Sequence, residues 1–257
     1  MVVTIGMVTY NRLDLTKQTF ERALKNTGKK YNLIICDNNS TDGTLDWLNE
    51  KKDLPEELEN MIVVPLKKNH GVAYGRNICL KTMKEQFKDT KYICTLDNDV
   101  AIPNKNWLKD CCDVLDANQT IGCCAINYES KSFPQTTIKT LDGRLIKVKI
   151  IINTPGTATT VFPIEIFEKI GYFKRYGNGV YGHEDADMWV RVRHLNKMLL
   201  YLDEPGIHLG EGDNDVGEYR KMKTQQFNKY RPEFVKDLQR YSRGATLYID
   251  FQEEIDG

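Results

Sequence analysis

Two short clusters of acids, far apart in the chain, are the residues best suited to chemistry. Asp97-Asn98-Asp99 closes the run Tyr92-Ile93-Cys94-Thr95-Leu96, whose apolar, β-branched and aromatic bias marks a buried strand. Two ionised carboxylates at such a strand end repel each other and are costly to desolvate, and a divalent cation beside them reverses that balance. Oxygen donors of this kind suit Mg²⁺ or Mn²⁺ better than zinc. The structural alternative is a helix cap, with Asp99 or Asn104 capping a segment that begins near Lys105. The second cluster, Glu184-Asp185-Ala186-Asp187, opens a helical stretch reaching about Leu195, where the macrodipole alone favours acids. A carboxylate there can also accept a proton from a hydroxyl group. Asp187 and Arg191, spaced i, i+4, read as a helix-face ion pair.

The elements that must position these acids alternate in type. Strand candidates at Val2 to Val8, Tyr31 to Cys36, Met61 to Val64, Tyr92 to Leu96 and Ile121 to Ile126 are separated by helical patterns. The helical stretches follow Arg12, Thr44 and Gly71, with another from about Lys105 to Leu115. Such alternation with short connections argues for a parallel α/β sheet. In open sheets of this kind ligands bind beyond the carboxyl ends of the strands. The polar clusters Thr9 to Arg12, Asp37 to Asp42, Lys67 to Arg76 and Asp97 to Asp99 all fall at such ends. Neither Gly-x-Gly-x-x-Gly nor a Walker loop is present, which argues against a dinucleotide enzyme or a P-loop ATPase. Beyond Tyr128 the pattern changes. Thr136 to Leu141 and Leu145 to Ile152 flank an Asp142-Gly143 turn, the signature of a hairpin. Thr157 to Phe162 reads as a strand, Ile164 to Ile170 as a short helix and Leu199 to Leu202 as a last strand. A charged helix from Val216 to Tyr230 is expected to break at Pro232, with a tail to Gly257.

Composition bounds the function classes. The chain has 257 residues with 36 basic and 36 acidic side chains, a formal net charge of zero, which gives no support for broad adhesion to nucleic acid or anionic lipid. No apolar run approaches the ~20 residues that cross a bilayer, and no signal-peptide pattern precedes Val2. A cytoplasmic protein is the expectation. The seven cysteines are odd in number, lack Cys-x-x-Cys spacing and sit mostly in apolar segments, as reduced buried thiols do.

Three motifs in order give the chain a family likeness. Val8-Thr9-Tyr10-Asn11-Arg12 pairs with Cys36-Asp37-Asn38-Asn39-Ser40-Thr41-Asp42-Gly43-Thr44. Asn69-His70-Gly71-Val72-Ala73-Tyr74-Gly75-Arg76-Asn77 leads to Asp97-Asn98-Asp99, and Gly171-Tyr172-Phe173 leads to Glu184-Asp185-Ala186-Asp187-Met188-Trp189-Val190-Arg191. Over Val2 to His208 the sequence resembles the inverting family-2 glycosyltransferases of GT-A fold: a mostly parallel central sheet flanked by helices, here with a small hairpin and a C-terminal helical extension. The resemblance implies residues 1–210 as the catalytic domain, with 1–127 the nucleotide-binding half and 128–210 the acceptor-side half. Residues 211–257 would form the extension, with Tyr219, Arg220 and Lys221 as lid candidates.

The same resemblance assigns roles. Thr9, Tyr10, Asn11 and Arg12 would line the nucleotide pocket, with Asp37 and Asn39 on the base and ribose. Asn69, Gly71 and Arg76 would shape the donor-sugar side together with Asp97 and Asn98. Asp99 would ligate Mn²⁺ or Mg²⁺, with His208 as a further ligand, and Asp185 would be the catalytic base with Glu184 orienting hydroxyls beside it. The family's second acid near Asp37 is replaced here by Asn38. The implied reaction moves a sugar from a UDP-sugar to a hydroxyl of a surface polysaccharide, lipid-linked glycan or teichoic-type polymer. Inversion requires metal and base on opposite sides of the sugar, which Asp99 and Asp185 can satisfy and Asp97 with Asp99 cannot. A hydroxylated base in DNA is an alternative acceptor, with Lys139, Arg144, Lys147 and Lys149 on the hairpin as its basic track. A sugar-1-phosphate nucleotidyltransferase would show a glycine-rich loop after the first strand, and Thr9 to Arg12 is not one. A non-catalytic sugar-nucleotide-binding module is the remaining class, and the co-occurrence of Asp97, Asp99 and Asp185 speaks against it.

Overall fold

The computed structural model describes residues 2–128, 132–152, 156, 158–177, 180–211 and 218–251. In chain order the elements are β1 (Val2–Thr9), α1 (Leu13–Arg22), β2 (Tyr31–Asp37), α2 (Thr44–Glu50), β3 (Leu58–Pro65), α3 (Val72–Gln86), β4 (Thr90–Asp97), β5 (Val100–Ala101) and α4 (Trp107–Ala117). They continue with β6 (Ile121–Asn127), β7 (Gln135–Lys139), β8 (Leu145–Ile150), β9 (Thr159–Pro163), α5 (Ile164–Ile170), α6 (Glu184–His194), β10 (Met198–Pro205), β11 (Ile207–His208) and α7 (Glu218–Ser242).

Nine strands form one sheet in the order β3-β2-β1-β4-β9-β6-β10-β8-β7. The first four are mutually parallel. β9 runs antiparallel between β4 and β6. The sequence pattern leads to a parallel sheet of alternating strands and helices; here a later segment, β9, turns back antiparallel between β4 and β6. β6 and β10 are again parallel, and the hairpin β7–β8 closes the far edge antiparallel to β10.

The helices cover both faces, which is why β2 and β6 are buried along their whole lengths. On α4 the buried residues Trp107, Leu108, Cys111, Cys112 and Leu115 recur at helical spacing. They join Phe20, Leu24 and Leu48 on one side of the sheet. Leu80 and Met83 of α3, Phe167 of α5 and Met188 and Trp189 of α6 fill the other. All seven cysteines are buried free thiols inside these layers, as the sequence leads one to expect.

The C-terminal part departs from expectation. α7 runs unbroken through Pro232. Proline removes one intrahelical bond, but Pro232 lies on the exposed side, where water can satisfy the freed carbonyl. Packing holds the helix on either side of it: Phe227 and Phe234 bracket the His183 ring at centroid distances of 3.8 and 4.6 Å. Further along, Lys174 pairs with the buried Asp237, and the Tyr241 hydroxyl donates to Asp187 at 2.9 Å. The tail is docked too, with the Ile249 N–H donating to the Ile170 carbonyl and the Tyr172 N–H to Ile249.

The Asp187–Arg191 pair forms, but inside the protein. Both side chains are fully buried with Nε to Oδ2 at 2.6 Å. The rest of the guanidinium donates to the carbonyls of Ile170 and Tyr172, and Asp187 also accepts from the Tyr176 hydroxyl. One ion pair thus ties α5, α6 and α7 together. Asp187→Ala, which strands a buried guanidinium, is expected to destabilise the fold by about 3–5 kcal/mol, measurable by urea denaturation.

Candidate active site

A cleft of about 520 Å³ opens at the carboxyl edge of the sheet. Its residues come from the two turns after β1 and before α3, from the β4–β5 corner, from the start of α6 and from β11. Two consecutive residues with left-handed backbone, Asn11 and Arg12 at φ 56° and 63°, reverse the chain after β1. The turn is held by the Asn11 N–H on Ser40 Oγ at 2.8 Å and by Asn11 Oδ1, which accepts from the Thr41 N–H at 2.9 Å. It aims Arg12 at Asp99, with Nη1 2.8 Å from Oδ2.

The cap alternative does not hold for Asp99. Asn104 accepts from the Asn106 N–H, a contact of capping type just ahead of α4, and α4 itself starts at Trp107 without a side-chain cap. Asp99 is turned into the cleft. The chain pairs β5 with β11, His208 opposite Val100, and the Leu209 N–H donates to the Asp99 carbonyl at 2.7 Å. That small sheet brings His208 Nε2 to 3.6 Å from Asp99 Oδ1. Donor atoms of Asp97, Asp99 and His208 all lie within 4.8 Å of one another, the one such group among the described residues. Ligands about 2.1 Å from a shared octahedral ion stand roughly 3–4.2 Å apart, so a small contraction would complete a site. Two carboxylates and an imidazole suit Mn²⁺, and Mg²⁺ less well. Gly210 follows from this crowding: a Cβ there would sit 2.6 Å from Asp99 Oδ2.

Arg76 joins the two acidic clusters. Its side chain, 4% exposed, gives Nη1 to Asp185 Oδ1 at 2.5 Å and Nη2 to Asp97 Oδ1 at 3.0 Å. Asp185 therefore enters the same cleft as the Asp97–Asp99 corner and is joined to it through one guanidinium. Burial raises the Asp97 carboxyl above its ordinary value; Arg76 opposes the rise while Asp99 and Asp185 add to it. Glu184, 4% exposed, accepts from the Gly182 N–H at 2.9 Å. Its carboxyl is pushed up to about 7 by burial and then by the charge of Asp185.

The remaining expected residues divide into two groups. Tyr10, Asn11, Arg12, Asn69, Gly71, Arg76, Asp97, Asn98, Asp99, Glu184, Asp185 and His208 all line the cleft. Thr9, Asp37 and Asn39 are not among the lining residues. The Asp37 carboxylate is fully buried and accepts from Thr9 Oγ1, Ser40 Oγ and the Ser40 N–H, so in this state it braces the turn rather than facing a base. Asn39 is exposed with φ 66°. Asn38, where the family pattern has an acid, donates through Nδ2 to the Gly71 carbonyl and accepts from the His70 N–H. An aspartate could not donate that first bond, so the amide is what locks the Asn69–Gly71 turn. Gly71 itself has φ 87°, and a Cβ would meet the Val180 backbone at 2.5 Å.

Sequence reasoning expected the C-terminal extension at the site but did not name the α7 residues that line it. Met222 and Lys223 line the cleft, the Lys223 ammonium stands 5.0 Å from the Tyr181 ring centre, and Gln226 Oε1 accepts from the Tyr181 N–H at 2.9 Å. Of the lid candidates, Lys221 is exposed; the side chains of Tyr219 and Arg220 fall outside the description. The signal available was the spacing of Met222, Gln226 and Tyr230, one face of a helix.

The sequence pattern of Glycosyl transferase family 2 matches residues 4–174; the chain belongs to that family, and its fold is of GT-A type. It is 37% identical over 100 residues to the Escherichia coli UDP-Glc:alpha-D-GlcNAc-diphosphoundecaprenol beta-1,3-glucosyltransferase WfaP, covering 38% of this chain and 35% of that protein. It is 30% identical over 109 residues to the putative teichuronic acid biosynthesis glycosyltransferase TuaG of Bacillus subtilis, covering 42% and 38%. The matched stretch thus spans little more than a third of either relative. Among solved structures, the Pyrobaculum calidifontis mannosyltransferase PcManGT in complex with GDP-Man and Mn²⁺ superposes with TM-score 0.64 at 16% identity, covering 92% of this chain and 64% of that one. Residues 1–349 of S. aureus TarS, in complex with UDP, give 0.56 at 20% identity, covering 80% and 59%.

The Glu184 carboxyl sets a pH dependence. The folded protein keeps its proton between the ordinary value of 4.5 and about 7, where the unfolded chain has lost it. Stability therefore falls as pH rises through that window. Glu184→Gln is expected to flatten the fall, so that its thermal midpoint gains on the wild type between pH 5 and pH 8; scans at both values check this.

Proposed function

We propose that this glycosyltransferase moves a sugar, with inversion, from a UDP-sugar to a hydroxyl of a lipid-linked glycan, surface polysaccharide or teichoic-type polymer. Support comes first from one observation: Asp97, Asp99 and His208 gather in a cleft that Asp185 and Glu184 also line, with Arg76 bridging Asp97 to Asp185. The printed names of the two relatives, a UDP-glucose-dependent transferase and a teichuronic acid transferase, favour this donor and acceptor class. Seven buried free thiols accord with a cytoplasmic setting. Among the described residues no helix is long and apolar enough to cross a membrane.

In this reading Asp99 and His208 hold Mn²⁺ or Mg²⁺ with Asp97 beside them, and the ion when bound supplies Lewis-acid neutralisation of the diphosphate. Asn38, Asn69 and Gly71 shape the pocket wall next to Arg76. Arg76 offsets the repulsion among three carboxylates and fixes the bearing of Asp185. The acceptor hydroxyl gives its proton to Asp185 as its oxygen bonds the anomeric carbon. The bond from that carbon to the diphosphate breaks, and its electron pair leaves with the nucleotide. Met222 and Lys223 border the cleft near the start of α7 and limit the entry of water, the competing acceptor.

A DNA acceptor has less support. Arg144 of the proposed basic track is engaged by Asp110, Asp113 and Asp142, and Lys149 by Asp203. A binding module without turnover is separated by whether UDP is released. With a panel of UDP-sugars and Mn²⁺, Asp185→Asn is expected to keep donor binding and to lose about 10²–10⁴-fold in transfer. Asp99→Ala is expected to lose metal-dependent donor binding by calorimetry. Transfer at the wild-type rate by Asp185→Asn would refute the base assignment.

A further inference from the structure

The tip of the β7–β8 hairpin presents two leucines to water on a rigid mount. Leu141 is 79% exposed and Leu145 70%, among the most exposed large apolar side chains described. Between them Asp142 accepts from Thr140 Oγ1 and from Arg144 Nε. The Arg144 guanidinium also grips Asp110, at 2.8 Å, and Asp113 on α4. The tip is thus fastened to the body, and its own acid is neutralised. Flanking it, Lys139 and Lys147 are exposed. Of the four basic residues over Gln135–Ile150, Arg144 and Lys149 are paired with acids, which leaves Lys139 and Lys147 as the cations the hairpin turns to solvent.

Placement gives the tip a meaning. β8 pairs with β10 so that Val148 faces Leu202, and that register carries Leu145 level with Pro205 at the carboxyl end of β10, on the sheet edge where the cleft opens. Tyr201 of β10 lines that cleft, and β7 is two strand positions further out, about 10 Å at the usual strand spacing. Ile207, 45% exposed, stands on the same edge. Leucines carried at a tip between lysines suit the boundary of an anionic bilayer: the apolar ends enter the acyl region while the ammonium groups meet headgroup phosphates.

We propose that the Leu141–Leu145 hairpin tip docks this chain on an anionic lipid surface and holds the cleft toward a membrane-bound acceptor. The proposal deepens the lipid-linked acceptor reading and rests on it. A basic track for nucleic acid would not place its largest exposed groups as leucines. A second copy of the chain seated on two leucines would bury far less than a stable interface needs.

The test uses the full chain with vesicles of phosphatidylglycerol and phosphatidylcholine in equal parts, and of phosphatidylcholine alone, scored by co-sedimentation. Binding is expected only to the anionic vesicles. Leu141→Ser with Leu145→Ser should weaken it about tenfold, Lys139→Glu with Lys147→Glu should remove the preference for anionic lipid, and Leu141→Trp should shift its fluorescence to the blue on adding those vesicles. Circular dichroism and Mn²⁺-dependent UDP binding should match the wild type in each variant, because none of these residues belongs to the cleft. Failure of UDP binding in the wild type would sink the donor reading. Intact UDP binding without vesicle binding would overturn the docking proposal alone. So would unchanged partition of the leucine variant, with loss on reversing Lys229, Lys236 and Arg240 of α7, and so would tighter binding to duplex DNA than to vesicles.

Discussion

A guanidinium held between carboxylates is the constraint on which the rest depends. Arg76 is buried at the start of α3, and a buried cation is tolerable only when paired. Its partners, Asp97 from β4 and Asp185 from α6, come from segments nearly ninety positions apart, so satisfying one charge fixes the distance between the two sides of the cleft. The same pairing relieves repulsion that would otherwise drive Asp97, Asp99, Glu184 and Asp185 apart. It also brings a liability: whatever enters the cleft competes with Arg76 for the groups that would act on it.

Support for that pair is layered. The Asn69–Gly71 turn that starts α3 is clamped by Asn38 from the loop after β2 and closed by the Val180 backbone. α6, which carries Glu184 and Asp185, is tied to α5 and α7 by the buried Arg191–Asp187 pair. The exposed side of the site is closed by α7. The side chains that do the clamping, Asn38, Asp187 and Arg191, have their hydrogen bonds made, as buried polar groups must if they are to rigidify rather than weaken a fold.

Much of this was legible in the sequence, for identifiable reasons. Strand runs followed by polar turns mark the carboxyl edge of a parallel sheet, and short motifs keep their meaning because the residues that contact one another, such as Asn11 with Ser40 and Thr41, lie in loops that directly follow neighbouring strands. The Asp99–His208 approach was expected as a family trait; the geometry behind it, a two-residue strand pair, is too short to leave a periodic signal. Thr9 and Asp37 show what local pattern leaves open. Polar residues at strand ends look like ligand contacts, yet here they satisfy each other beneath the cleft. β9 was visible as a strand, but its insertion between β4 and β6 depends on pairing across the sheet, which local pattern does not encode. Pro232 misled because a helix-breaking residue costs little where solvent replaces the lost bond and tertiary contacts hold both flanks.

The antiparallel strand in the middle of the sheet bears on how the protein is made. Thr159 follows Asp97 by 62 residues, and until it emerges from the ribosome the apolar edge of β4, Tyr92 to Leu96, has no partner on that side. At ~5–20 residues per second this amounts to about 3–12 s of naked edge, the kind of surface on which nascent chains stick to one another. Biosynthesis of this fold thus has a vulnerable interval written into its topology, and chaperone demand should be concentrated there.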